Sequence, residues 1–487
     1  MFGDIHEECG VFGICSTETF NASSAAYYAL YALQHRGQEA CGIAVNDDGI
    51  VTAHADMGLV NEVFTKEVLK RLDGGQMAVG HVRYSMNGSA NRTNLQPLVV
   101  RHVKGPMVVA HNGNITNAAG LREKFEREGA IFRSTSDTEV IAYVITKNRL
   151  CTPSIESAIE KAMDELEGAY SLVIMSARKL IAVRDPHGFR PLSLGKTPDG
   201  SYIFASETCA FETLGAKFVR DIVPGEIAVI EDGNLRSITS HCGQKPSLCV
   251  FEYIYFARPD SMIEGTNVHM ARQRAGQFLA QENPVEADVV IGVPDSGLDA
   301  AIGYAAESEI PYGVGFVKNR YIGRTFIQPT QALREASVHI KLNPIAETVS
   351  GKRVIMVDDS IVRGTTSARI VKMLREAGAK EVHMRVSCPP FISPCYFGTD
   401  IDGKDKLIAC RMSVDEIAKS IGVDSLGYLS VEHIGQLADE SCGGCCTGCF
   451  TGQYPVNVPD EVKPDKFEKK YSESDKAKQR ARMKKYE

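Results

Sequence analysis

The segment VIMVDDSIVRGTTS, residues 354–367, sets two adjacent carboxylates, Asp358 and Asp359, at the end of an apolar run and follows them with a small-residue loop. The β-branched run predicts a buried strand, and the residues after the loop predict a helix beginning near Ser367. Backbone N–H groups left open at a helix start bind phosphate, and the hydroxyls of Thr365, Thr366 and Ser367 add donors. Gly364 lets the chain turn closely around an anion. The segment is not a Walker loop, because it lacks the order G-x-x-x-x-G-K-[ST]. In place of a lysine for a triphosphate it offers two acids, which suit vicinal ribose hydroxyls and a bridging divalent ion.

Two other segments suit the same chemistry. VPDSG (293–297) ends a second apolar run, where α/β sheets place their ligands. KNRYIGRTFIQ (318–328) carries Lys318, Arg320 and Arg324 around Gly323. It is either a lid able to neutralise pyrophosphate or a solvated basic loop.

A second set of residues lies at the other end of the chain. Cys9 opens the run ECGVFGI, followed by LQHRGQEACGIAV, GHVRYS, AHNGNI and SDTEVI. Taken singly, Cys9 reads as a buried thiol, HNGN as an Asn-Gly turn and GHVRYS as a strand with a surface arginine. A third set is the run SCGGCCTGCF, which holds Cys442, Cys445, Cys446 and Cys449 of the chain's 14 cysteines. Thiolates spaced C-x-x-C can share a metal or cluster; zinc and a chance Cys/Gly-rich turn are the alternatives.

The elements that must position these groups follow from length and texture. At 487 residues the chain has room for two or three domains, and 44% hydrophobic with 24% charged residues describes a globular protein. A net charge of -7 argues against a broad nucleic-acid face, and no apolar run approaches the ~20 residues of a membrane span. The start MFGDIHEE is acidic where a signal peptide is basic, so a cytoplasmic location is expected. In that reducing compartment the cysteines serve as ligands, nucleophiles or buried thiols rather than disulfides.

Residues 9–240 are rich in short β-branched runs and predict a strand-heavy α+β domain, with one helix over SSAAYYALYALQHRG stopped by Gly37. The stretch 231–247, EDGNLRSITSHCGQKPS, reads as the boundary. From 250 to about 440, single buried strands alternate with helices, which predicts a parallel α/β sheet. The basic tail, 456–487, reads as a solvated helix or frayed end.

In their order, the N-terminal segments resemble the glutamine amidotransferase domain of the N-terminal-nucleophile hydrolases. Segment 354–367 resembles the 5-phosphoribosyl-1-pyrophosphate (PRPP) loop of type I phosphoribosyltransferases. Together they resemble the amidophosphoribosyltransferase family, which opens purine nucleotide synthesis. The resemblance implies an αββα sandwich over 9–240 followed by a parallel α/β phosphoribosyltransferase domain over 250–455. It implies that Cys9 attacks glutamine, its own α-amine taking the thiol proton once a propeptide, residues 1–8, is cut away autocatalytically at Glu8–Cys9.

By the same resemblance Arg83 pairs with the glutamine α-carboxylate and Asp137 with its α-ammonium. The Asn112 amide and the Gly113 N–H form an oxyanion hole. Met86 stands where related enzymes commonly have threonine. Ammonia then travels a closed path to PRPP and displaces pyrophosphate, giving 5-phosphoribosylamine. Asp358, Asp359, Gly364, Thr365, Thr366, Ser367, Lys318 and Arg324 would hold PRPP, and Ser296 with the two acids would hold Mg2+.

One branch of the family carries a structural 4Fe-4S cluster, whose ligands match Cys249, Cys395, Cys446 and Cys449, leaving the part of Cys442 and Cys445 open. Inhibition by purine nucleotides and a homo-oligomeric, tetrameric state are further implications, with no nucleic acid and no membrane partner. A sugar-phosphate aminotransferase sharing the first domain would lack the loop at 354–367, and an iron–sulfur redox sensor would not need it. Intact Cys9, Arg83, Asn112 and Asp137 argue against a non-catalytic binding or regulatory protein that kept both folds.

Overall fold

The computed structural model describes residues 9–84, 92–319, 342–401, 403–439 and 442–459. The expected propeptide 1–8, Met86, the basic residues Arg320 and Arg324, and the tail from 460 onward lie outside the described residues.

Two antiparallel sheets form the first part of the chain. One has seven strands, in spatial order 217–221, 193–196, 202–205, 10–15, 77–83, 40–47 and 50–57. The other has six: 234–238, 227–231, 179–184, 168–176, 105–115 and 98–102. Alternation along each strand explains the layering. Val11, Val79 and Ala44 of the first sheet share one core with Val108, Val173 and Ala182 of the second. The opposite faces turn to helices: Phe12, Ile14 and Ile43 meet Ala22, Ala26 and Leu30 of helix Ala22–Ala32. Leu172, Ile174 and Ile181 meet Val140, Ile141 and Ile145 of helix Asp137–Leu150. Both faces of each sheet are covered, giving the αββα sandwich of the N-terminal-nucleophile hydrolases.

Two local expectations are corrected. The α-helix expected to run to Gly37 ends at Ala32, and Gln34–Arg36 tighten into a 3-10 turn. The tighter turn aims His35 and Arg36 at the carboxylate of Glu207. In the boundary stretch 231–247, Asp232 and Gly233 both have positive φ and close a hairpin between strands 227–231 and 234–238. The Asp-Gly pair was a hairpin signal, not a linker signal.

The second unit is a four-stranded parallel sheet in the order 289–292, 353–358, 381–386, 425–428, the type I phosphoribosyltransferase arrangement. Helices Val268–Glu282 and Gly297–Ser308 lie against each other backbone to backbone: a Cβ on Gly303 would sit 2.0 Å from the carbonyl oxygen of Gln273. The helix expected near Ser367 starts earlier, at Thr365, because Gly364 adopts a left-handed φ of 78° and caps it. The segment 248–256 belongs to this second core, where Leu248, Phe251, Ile254 and Phe256 pack with Val290 and Val354. No helix among the described residues is long and apolar enough to cross a membrane.

Candidate active sites and cysteine centre

Cys9 immediately precedes the central strand 10–15, whose Gly10 is registered with Val82 and whose Val11 is registered with His81. This places Cys9 beside Arg83, and its thiol donates to the carbonyl oxygen of Tyr84 at 3.7 Å. Gly37 lets the following loop lie on Arg83, because a Cβ there would approach the Arg83 backbone to 2.6 Å. The facing sheet brings strand 105–115 across: His81 Nε2 lies 3.1 Å from the carbonyl oxygen of His111. Burial, reinforced by the charge of Arg83, pushes the pKa of His81 down to about 3, so it is neutral here.

HNGN is not a turn. Strand 105–115 runs straight through it, with Gly113 at φ 138° and no room for a Cβ, which would lie 2.2 Å from the Ala169 carbonyl oxygen. Asn112 is buried, and its side-chain Nδ2 finds no hydrogen-bond partner among the described residues. A buried donor left open is costly and marks a place built for an acceptor. Asp137 begins helix 137–150 and accepts from the Ile115 N–H at 3.1 Å, with His111 Nδ1 at 3.6 Å. Burial opposes its charge, but His111 and the N–H groups of Ile115 and Thr138 outweigh that and hold its pKa below the usual range. The sandwich thus gathers Cys9, Arg83, Asn112, Gly113 and Asp137 at the same end of its two central strand pairs.

Sequence reasoning missed the ion network beneath this end. Arg36, wholly buried, donates to the Cys9 carbonyl oxygen through Nε at 3.1 Å and to Glu207 at 2.6 Å. It also grips both carboxylate oxygens of Glu252, at 2.8 and 2.7 Å. Burial would raise the Glu207 pKa, but the charges of His35 and Arg36 hold it far down. A lone Glu inside the apolar run VFEYIYF was the available signal, since a carboxylate buried there requires a cationic partner.

The residues expected to hold PRPP lie at the carboxyl ends of neighbouring strands 289–292 and 353–358, where such sheets bind ligands. Ser296 Oγ donates to Asp359 Oδ1 at 2.7 Å, and the Asp359 N–H donates to Asp358 Oδ1 at 3.0 Å. Burial, then the neighbouring charge of Asp359, pushes the Asp358 carboxyl well above the usual carboxylate range. Two adjacent buried carboxyls, with burial and the Asp359 charge working against ionisation of Asp358, form an oxygen donor set that a divalent cation would stabilise, so the residues fit Mg2+. Thr365, Thr366 and Ser367 form the first turn of helix 365–376, and Lys318 reaches the VPDSG loop by pairing with Asp295.

The described cysteines form no disulfide. Cys249 and Cys446 are registered partners in a two-residue parallel ladder, 248–249 with 445–446. Cys249, Cys395, Cys446 and Cys449 line one buried cavity walled by Phe189, Phe251, Phe397 and Tyr454. Burial raises Cys446 to about 12, and burial with the neighbouring Cys395 and Cys249 raises Cys449 strongly. Four cysteines lining one largely apolar space suit a bound metal centre, whose positive charge would stabilise their thiolates. Cys442 and Cys445 lie thiol to thiol at 3.8 Å and do not line that cavity.

Residues 81–213 match the glutamine amidotransferase domain family, and residues 265–423 match the phosphoribosyl transferase domain family. The amidophosphoribosyltransferase of Bacillus subtilis is 50% identical over 91% of this chain and 93% of its own length. That of Archaeoglobus fulgidus is 50% identical over 87% of this chain and 92% of its own. A solved structure described as the allosteric regulatory enzyme of purine biosynthesis superposes with a TM-score of 0.87 at 48% identity, covering 93% of this chain and 97% of that one. The B. subtilis glutamine PRPP amidotransferase complexed with ADP and GMP superposes at 0.86, with 48% identity over 93% and 99%. With both catalytic folds present in one chain and likeness running along nearly all of it, the chain belongs to the amidophosphoribosyltransferase family.

Proposed function

We propose that the chain hydrolyses glutamine at Cys9 and delivers the ammonia to PRPP, giving 5-phosphoribosylamine in the first step of purine synthesis. The observation that carries this reading is the buried amide of Asn112, whose Nδ2 has no partner among the described residues, on the strand that meets the Cys9 sheet through His81 and His111. Removal of residues 1–8 exposes the Cys9 amine, whose typical pKa of ~7.7–8.0 lies near the thiol's ~8.5, so the proton moves between them at little cost. The thiolate attacks the glutamine carboxamide, and Asn112 Nδ2 with the Gly113 N–H receives the oxyanion. Ammonia leaves with the proton, and water releases glutamate from the thioester. Arg83 takes the substrate carboxylate; Asp137, held ionised, takes its ammonium.

At the second site the first turn of helix 365–376 receives the 5-phosphate, and Asp358 and Asp359 face the ribose hydroxyls. Lys318 and Arg324 supply positive charge for pyrophosphate. Ser296, Asp358 and Asp359 would hold Mg2+, which when bound offsets the charge of the departing pyrophosphate. Cys249, Cys395, Cys446 and Cys449 would hold a 4Fe-4S cluster that pins the segments carrying them. The same reading places the enzyme in the cytoplasm as a tetramer, divided into units 9–240 and 250–455. It also includes inhibition by purine nucleotides, which a solved relative complexed with ADP and GMP supports.

The test pairs Cys9→Ser with intact-mass analysis. Glutamine-dependent synthesis should vanish while ammonia-dependent synthesis persists, and the parent should lack its first eight residues. A Cys9→Ser protein that still uses glutamine overturns the reading.

A further inference from the structure

We propose that Glu252, which belongs to the phosphoribosyltransferase core, is a positioning residue for glutamine hydrolysis, acting on the nucleophile of the other unit through Arg36. The inference rests on the reading of Cys9 as nucleophile. Arg36 has one N–H, on Nε, aimed at the Cys9 carbonyl oxygen; the opposite edge of its guanidinium is clamped by both oxygens of Glu252. A planar fork held at two oxygens has little freedom to rotate, so the Glu252 carboxylate fixes where the Cys9 backbone sits. For a nucleophile whose own amine is the base, placing the backbone places thiol and amine together.

The sandwich contributes a second carboxylate. Its own Glu207 reaches Arg36 with a single oxygen while also accepting from the Arg258 N–H at 2.9 Å and the Ser261 hydroxyl at 2.7 Å. Glu252 is itself anchored from the far side. It opens a helical turn, 252–256, whose neighbourhood is held by Arg272, which donates to the carbonyl oxygens of Tyr253 and Ala257 at 2.8 and 2.7 Å. Arg272 also lies 3.9 Å from Asp299, in the helix that follows the VPDSG loop. The element behind the PRPP site therefore backs the residue that holds the nucleophile.

The test is Glu252→Gln in the full-length chain, which keeps the shape and removes one acceptor, with Glu252→Asp as the conservative rescue. For Glu252→Gln the kcat of glutamine hydrolysis should fall by at least about fivefold with KM for glutamine unchanged, as for a group that acts on the nucleophile and not on substrate binding. Alkylation of Cys9 by a glutamine-like chloroketone should slow by the same factor, ammonia-dependent synthesis should stay at the parent rate, and Glu252→Asp should recover part of the loss. A smaller fall, or an equal fall in the ammonia-dependent reaction, overturns the proposal. Should Cys9→Ser retain glutamine use, the reading beneath it fails as well; should Cys9→Ser be inactive while Glu252→Gln matches the parent, only the positioning role fails.

Discussion

The side-chain amide of Asn114 donates to the carbonyl oxygen of Tyr396 at 2.8 Å. Strand 105–115, which carries Asn112 and Gly113, is thereby tied to the segment that carries Cys395. Arg190 strengthens the seam by donating to the Phe397 carbonyl oxygen through Nε and a terminal nitrogen, at 3.1 and 2.6 Å. Gly398 completes it: a Cβ there would sit 3.3 Å from the Gly113 backbone.

The two asparagines on this strand should behave differently. Asn112→Ala removes a donor from the oxyanion site and should lower kcat for glutamine by about 10²–10³-fold with ammonia-dependent synthesis intact. Asn114→Ala should cost far less, since it only loosens the strand. Steady-state rates with the two nitrogen sources read the difference.

Gly364 caps helix 365–376, proposed to bind the phosphate, from a left-handed conformation, and a Cβ there would meet Ile408 at 2.9 Å. Gly364→Ala should destabilise the loop by about 1–2 kcal/mol, raising KM for PRPP roughly tenfold while glutamine hydrolysis measured without PRPP is unchanged.

Cysteine substitutions separate the two thiol groups. On the proposed reading of Cys449 as a cluster ligand, Cys449→Ser should abolish bound iron and its visible absorbance and lower the unfolding temperature. Cys442→Ser, outside the cavity, should keep the parent iron content. Iron and sulfide analysis of both purified proteins decides the ligand set.

His81 makes stability depend on pH. Its folded pKa of about 3 lies below the ordinary value of 6.5, so both states are neutral above pH 6.5 and the contribution there is full. As pH falls from 6.5 toward 3 the unfolded chain takes up a proton that the folded chain refuses. Stability then drops by about 1.4 kcal/mol per pH unit from this residue. Urea unfolding at pH 7 and pH 5 should show the drop, and His81→Gln should flatten it.

Much of both sites was legible because their chemistry sits in short contiguous segments. The Asp358–Ser367 loop, the Asn112–Gly113 pair and the C-x-x-C of Cys446 and Cys449 each declare residue types and spacing locally. Arg36 and Glu207 did not, because their meaning lies in pairing between distant segments, which no periodicity encodes; Glu252 showed only as a lone acid in an apolar run. HNGN taken alone would read as a turn for a related reason. Asn-Gly favours a turn, yet flanking apolar residues with partners on both sides kept strand 105–115 extended, and Gly113 was spent on close approach to Ala169. The Asp232–Gly233 pair was the reverse case, a true hairpin inside a stretch whose Ser and Pro content resembled a linker.

The ladder joining Cys249 to Cys446 spans nearly the whole second unit. During synthesis on the ribosome, the sandwich and its nucleophile emerge and can fold while the final thiols are still untranslated. Whatever these sulfurs bind must therefore be loaded after the polypeptide is almost finished, and a truncated product would carry a complete glutaminase fold with an open thiol cage.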